Sequence, residues 1–394
     1  MFDRTRHFAP RFRPWNASEA RPAIEEIAAD AIAMGDPVAL WPSHPMEDGV
    51  PDGLGCLYFG AAGVIWALDY LHRAGAIADP GDLAPLLERA LESNASWLER
   101  TPYPGQPSLF MGELGIRVIQ VRIRPEPGTA NAIHALAANN NNLPTVEVMW
   151  GLPGSMLACI LIRDMVDDPR FQFLFQMQAA RLLGELVASD KGPIWTQDLY
   201  GQRTRYVGPV HGFAGNMLPL LRGWDWLNAE QKAIVAEAAQ RTLAALAMRS
   251  PLSATWPAVT PSRGPPRLCQ HCHGASGMVT AFADAPFSTL EFETLLVQGG
   301  ALTWNAGPLI KGSNLRHGTG GNGYALLKLY QRTKDPLWLE RARAFAMAAI
   351  DPVRGARAAF GRGRYSLWTG DLGLAVYLSD CTTALPRFPT NDML

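Results

Sequence analysis

The chain has 394 residues, a formal net charge of -1, 18% charged side chains and 48% apolar ones. This balance excludes a disordered chain and gives no polyanion footprint, so nucleic acid is not expected as a partner. No apolar run of about 18 residues and no basic, apolar leader occur, so neither a membrane span nor a signal peptide is expected, and the five scattered cysteines fit a reducing cytoplasm better than a disulfide framework.

Taken in chain order, the predicted elements alternate between two kinds. One kind begins at a Gly-x-x-Gly pair, at Gly60/Gly63, Gly112/Gly115, Gly151/Gly154, Gly212/Gly215, Gly274/Gly277, Gly318/Gly321 and Gly370/Gly373. An apolar run follows each pair at once: Val64–Leu71, Ile116–Val121, Ser155–Ile162, Asn216–Leu221, Met278–Ala283, Asn322–Tyr330 and Leu374–Leu378. Glycine there lets the backbone turn tightly and expose amide N–H groups at a helix start. The other kind is amphipathic, with one wet face, at Pro22–Met34, Asp82–Arg100, Thr129–Leu136, Phe171–Ser189, Ala229–Arg249, Phe287–Gln298 and Pro336–Ile350. The first glycines stand 52, 39, 61, 62, 44 and 52 residues apart, enough each time for two helices and a loop.

Seven apolar and seven amphipathic helices can close into a ring of hairpins. The expectation is therefore all-α: an α,α-toroid of seven inner and seven outer helices forming one domain over 1–394, with the repeats at about 50–380. The glycine turns all face one end. Segments Thr101–Ser108, Gly192–Gly208 and Ser250–Arg267, rich in Pro, Gly and aromatics, read as ordered loops near that mouth.

Residues 269–273, Cys-Gln-His-Cys-His, place two thiols and two imidazoles before the fifth turn, a density found mainly where a metal or a thiolate is handled. His211-Gly-Phe-Ala-Gly215, Cys272-His-Gly-Ala-Ser-Gly277 and His317-Gly-Thr-Gly-Gly-Asn-Gly-Tyr-Ala325 resemble the fourth, fifth and sixth repeat motifs of the lanthionine synthetase C family, closer to its eukaryotic-type members. The resemblance implies a toroid carrying zinc at one end and Michael addition of a thiol, from a peptide cysteine or glutathione, to dehydroalanine or dehydrobutyrine in a dehydrated peptide or protein. It also implies His211 as acid/base, Glu147 as the acidic group preceding the third turn, and Arg267 as a basic residue for the enolate, one position out of the expected spacing. Lys311 and Arg205 are further basic candidates.

The chemistry suits those residue types. A thiol near pKa 8.5 needs activation at neutral pH, the enolate needs a cation or hydrogen-bond donor, and the α-carbon needs a proton. One departure stands out. The family's zinc ligands would be Cys272, a second cysteine and His317, but the second cysteine is Arg316, which cannot ligate. The site then either recruits Cys269, first by its C-x-x-C spacing, or His271 or His273, or it holds no zinc and Arg316 replaces the ion electrostatically. The functional alternatives are a thiol-adding enzyme and a non-catalytic toroid that binds a peptide or protein in the same mouth. A sugar-cleaving toroid is a third and weaker reading, since the turns carry mostly His, Cys and Gly, with Glu113 and Asp371 the two acids inside them.

Overall fold

A computed structural model describes residues 1–47, 49–102, 107–163 and 165–393. Part of the loop expected over Thr101–Ser108, residues 103–106, thus lies outside the described residues. Seven inner helices follow the glycine turns: α2 (Ala61–Arg73), α4 (Glu113–Ile123), α6 (Leu152–Ile162), α8 (Phe213–Arg222), α10 (Ala275–Phe282), α12 (Thr319–Thr333) and α14 (Leu372–Thr383). Each packs on the next, and α14 packs on α2, so the ring closes. The outer layer consists of α1 (Ala17–Met34), α3 (Ala84–Leu98), α5 (Thr129–Asn139), α7 (Pro169–Gly184), α9 (Ala229–Leu246), α11 (Leu290–Ala306) and α13 (Pro336–Phe360). This is the expected α,α-toroid. Burial follows the sequence pattern: every residue of α6 is buried, whereas α9 buries six and turns its charged side to solvent.

The glycine pairs do something other than expose N–H groups. Gly151 has an extended backbone open to any residue, but a Cβ there would stand 1.9 Å from the Thr145 carbonyl oxygen. Close approach of the turn to its own helix is what requires glycine. At three of the helix starts the first amide donor is already spent, because Ala61, Ala214 and Thr319 each donate to a carbonyl of the preceding loop, those of Leu54, Val207 and Gly312, at 2.8–3.0 Å. Those three turns are therefore poor anion holes, and positive charge there has to come from side chains.

Three features go beyond the sequence expectation. The loops over 192–208 and 250–267 carry short strands: β1 (Gln197–Leu199), β2 (Gln202–Tyr206) and β5 (Val259–Thr260) form one antiparallel sheet, and β3 (Met248–Ser250) pairs with β4 (Ser253–Thr255). Helix α13 runs past Ile350 through Pro352, with Arg13 and Ser313 donating to the carbonyls of Met347 and Ala349 around the disrupted turn. The segment 388–393 fills the axis of the ring. Phe388 stacks on His271 at 4.3 Å, the Trp368 indole donates to Thr390, and Asp392 bridges Arg222 of α8 and Lys328 of α12, each at 2.5 Å. All five cysteines are free and buried, and among the described residues no helix is long and apolar enough to cross a membrane.

Candidate functional site

The inner helices point their starts at one end, so equivalent positions of the turns ring the mouth. The residue just before the first glycine is His211, His273 and His317 in the fourth, fifth and sixth turns, and the residue before that is Val210, Cys272 and Arg316. Neighbouring turns bring these side chains close enough for their charges to act on one another. His273 is pushed down to about 4 by burial, and then by the charges of His211 and Arg316. His317 is pushed down to about 2 by burial, then Arg316, Lys311 and His273, so both imidazoles are neutral at physiological pH.

His211 is held by Glu147. The Glu147 carboxylate is fully buried, accepts the backbone N–H groups of Met149 (3.1 Å) and Trp150 (2.5 Å), and meets His211 Nδ1 at 2.7 Å. The turn leading to Gly151 thus fixes the acid, and the acid fixes the ring with Nε2 turned away from it. With the carboxylate ionised, Nδ1 carries the proton and Nε2 is the basic nitrogen. Tyr200 and Tyr206, from the β1–β2 hairpin, set their rings 5.8 and 6.0 Å from that of His211. Tyr200 sits in the left-handed region (φ 55°) at the hairpin tip and accepts the Trp150 indole N–H at 3.2 Å, a strained backbone held at the mouth. Sequence reading missed both tyrosines. The Tyr-Gly pair between two short polar runs was the available signal.

On the next turn, Cys272 is buried and its thiol is pushed up to about 11 by desolvation, against the pull of Arg316, the Gln270 amide at 2.9 Å and Lys311. Gln270 also escaped the sequence reading. Arg316 lies over the rings of Tyr58 (5.3 Å) and Phe59 (5.8 Å), and its Nε is buried without a hydrogen-bond partner among the described residues. Burial opposes its charge, but Tyr58, Cys272, Tyr200 and Glu47 hold its pKa above the usual arginine value.

The structure brings His211, Glu147, Cys272, Arg316 and His317 to one mouth, with Lys311 at its edge. It does not bring Cys269 there: that thiol faces Thr303 of α11, with Sγ 4.0 Å from its hydroxyl oxygen. His271 is also turned away, stacked on Phe388, and Arg205 bonds Thr196. Arg267, expected beside the enolate, is a largely exposed side chain 3.6 Å from Asp3. Among the described residues no three His, Cys, Asp or Glu side chains are placed to share an ion. As arranged, the donors do not fit a zinc ion with three protein ligands: Cys272 and His317 flank a guanidinium, and the expected substitute looks elsewhere.

The family model for lanthionine synthetase C-like proteins matches residues 52–390. The chain belongs to that family. It is 26% identical over 352 residues, 84% of each chain, to "Glutathione S-transferase LANCL1" of Danio rerio. Over 148 residues it is 34% identical to "LanC-like protein GCL1" of Arabidopsis thaliana, a match spanning 36% of this chain and 32% of the plant protein. Among solved structures, nisin cyclase superposes with a TM-score of 0.60 over 93% of this chain and all of its own, at 13% identity, which confirms the toroid fold.

Proposed function

We propose that this LanC-like protein forms thioethers by adding a thiol, from glutathione or a peptide cysteine, to dehydroalanine or dehydrobutyrine in a dehydrated peptide or protein, in a reducing cytoplasm. The observation that carries this reading is the His211–Glu147 pair opposite Cys272, Arg316 and His317, on the turns where the family places its chemistry. The family relative named a glutathione S-transferase supports the choice of thiol.

The steps balance with one proton relay. His211 Nε2 takes the thiol proton, and Glu147 stabilises the imidazolium that forms. The sulfur bonds the β-carbon while the C=C π electrons move onto the carbonyl as an enolate. Arg316 faces that developing charge, and a low-dielectric setting makes its guanidinium worth more there than in water. His211 then returns the proton to the α-carbon. Neutral His273 and His317 present nitrogen atoms for hydrogen bonding without adding charge. Zinc enters this reading as a quantity to measure: Cys272 and His317 are its expected protein donors, Cys269 was expected as the third, and no step above depends on the ion.

The test is mass spectrometry of a dehydroalanine peptide incubated with glutathione and the purified protein. A glutathione adduct formed well above the uncatalysed rate is expected. A peptide that binds but gains no adduct overturns the reading and leaves the non-catalytic peptide-binding toroid.

A further inference from the structure

A groove of ≈ 390 Å³ leads away from the mouth between the N-terminal segment and the loop over 256–268. Its inner end is His273, whose Nδ1 is buried with no hydrogen-bond partner among the described residues. One wall is the N-terminal segment, tied down where Asp3 N–H donates to the Arg267 carbonyl at 3.1 Å and Ile310 N–H to that of Arg6 at 3.0 Å. The other wall carries Arg263, Arg267 and the ring of Trp256.

The charge in this groove is lopsided. Three guanidinium groups, from Arg6, Arg263 and Arg267, face it against one carboxylate, that of Asp3, which accepts the Thr5 N–H and hydroxyl and lies 3.6 Å from Arg267. Arg6 has a buried Nε without a hydrogen-bond partner among the described residues, and its Nη2 donates to the side-chain amide oxygen of Gln270, Oε1, at 3.4 Å. The Gln270 side-chain amide in turn donates to the Cys272 sulfur, so the groove adjoins the reacting centre through Gln270 and His273. Clustered like charge beside low-dielectric walls focuses field and raises the local concentration of the opposite sign. A guanidinium fork also prefers a carboxylate geometrically.

We infer that this groove binds the polypeptide flank of the acceptor and selects acidic residues, Asp or Glu, next to the dehydroamino acid. The thiol donor has to place its sulfur among His211, Cys272 and Arg316, none of which lines the groove, whereas the acceptor chain has to run on beyond the reacting residue. Arg267, displaced from the enolate, gains a role here as a specificity residue. The inference rests on the thiol-addition reading.

Fluorescence anisotropy with labelled peptides tests it. Alanine replaces the dehydroamino acid, so binding is read without reaction, and the flanks are Glu in one peptide and Gln in the other. The Glu peptide is expected to bind about tenfold more tightly, equivalent to about 1.4 kcal/mol, with the ratio falling towards one in R263Q/R267Q and with added salt. Both substituted arginines are exposed, so the variant should fold. Equal binding of the two peptides, or a preference that survives the double substitution, overturns the inference. So does loss of the preference when glutathione is added, which would assign the groove to the thiol donor. Failure of the chemistry is read separately, by the absence of adduct on a reactive peptide that still binds with the Glu preference.

Discussion

The mouth and the lumen beneath it both bury charge, and they treat it in opposite ways. In the lumen, Lys328 (1% exposed) meets Asp284 and Asp392, and Arg222 meets the same two acids at 3.1 and 2.5 Å, so two cations face two carboxylates. In the mouth, Arg316 has no carboxylate within ion-pair distance among the described residues, and its Nε and the Nδ1 of His273 lack hydrogen-bond partners. A buried cation without a carboxylate is costly unless something supplies the negative charge, and in an enzyme that something is a developing transition state. Under the proposed function, the lumen cluster is structural and the mouth cluster awaits a charge that arrives with the substrate.

The largest effect expected from this contrast is on stability. Asp392→Ala should cost about 3 kcal/mol, because it leaves the buried Arg222 and Lys328 to share the single carboxylate of Asp284 in the ring axis. Urea denaturation measures it, and a cost below about 1 kcal/mol would place the lumen charges with the mouth charges. Next, Arg316→Met should leave stability within about 1 kcal/mol of wild type, since no ion pair is lost, while lowering adduct formation by about 10²-fold, as removal of an oxyanion-hole donor does. Equal losses of stability and activity would erase the distinction between the two regions.

The glycine pairs made the seven inner helix starts legible, because a turn packed against its own helix admits no Cβ and so marks the sequence at each repeat. The strand pair β2–β5 was not legible: it joins segments some fifty residues apart over two residues each, too short for a period to show. The axial plug was missed for a related reason, since Thr390, Asn391 and Asp392 read as a polar tail until Trp368, Arg222 and Lys328 are seen around them. Within the site, matching to the family's turns named Glu147 and His211, and the structure sets the two side chains 2.7 Å apart. Cys269 was expected as a ligand because C-x-x-C counts separation but not direction; the tight turn Gln270–His273 leaves Cys269 facing α11. Arg316 was visible as a departure, and the aromatic rings beneath it were not.

Acid stability gives a smaller effect. Asp392 has its pKa lowered to about 2 by Arg222 and Lys328, outweighing burial, so its contribution is fully present above the unfolded value near 3.9 and is lost as pH falls towards 2. Asp380 behaves oppositely. Burial raises it to about 7 despite hydrogen bonds from Tyr324 and Tyr70, so its stabilising effect is full below about pH 4 and is lost as pH rises through 7. Asp380→Asn should flatten the stability profile between pH 4 and 7, measured by urea midpoints, and should leave the loss below pH 4 in place. The smallest effect concerns metal content. We expect purified wild type to carry less than one zinc per chain and Arg316→Cys, which restores the family's second thiol between Cys272 and His317, to approach one. Stoichiometric zinc in wild type that persists in Cys269→Ser would show that Arg316 swings aside and that the mouth is a metal site after all.

The most direct test of the account is the rate of glutathione adduct formation on a dehydroalanine peptide by wild type and His211→Ala, followed by mass spectrometry. With His211 as the sole proton relay, the variant should be slower by at least about 10²-fold while still binding the peptide, in line with the usual contribution of a positioned acid–base group. Unchanged turnover in His211→Ala would contradict the assignment and would move the chemistry away from the His211–Glu147 pair.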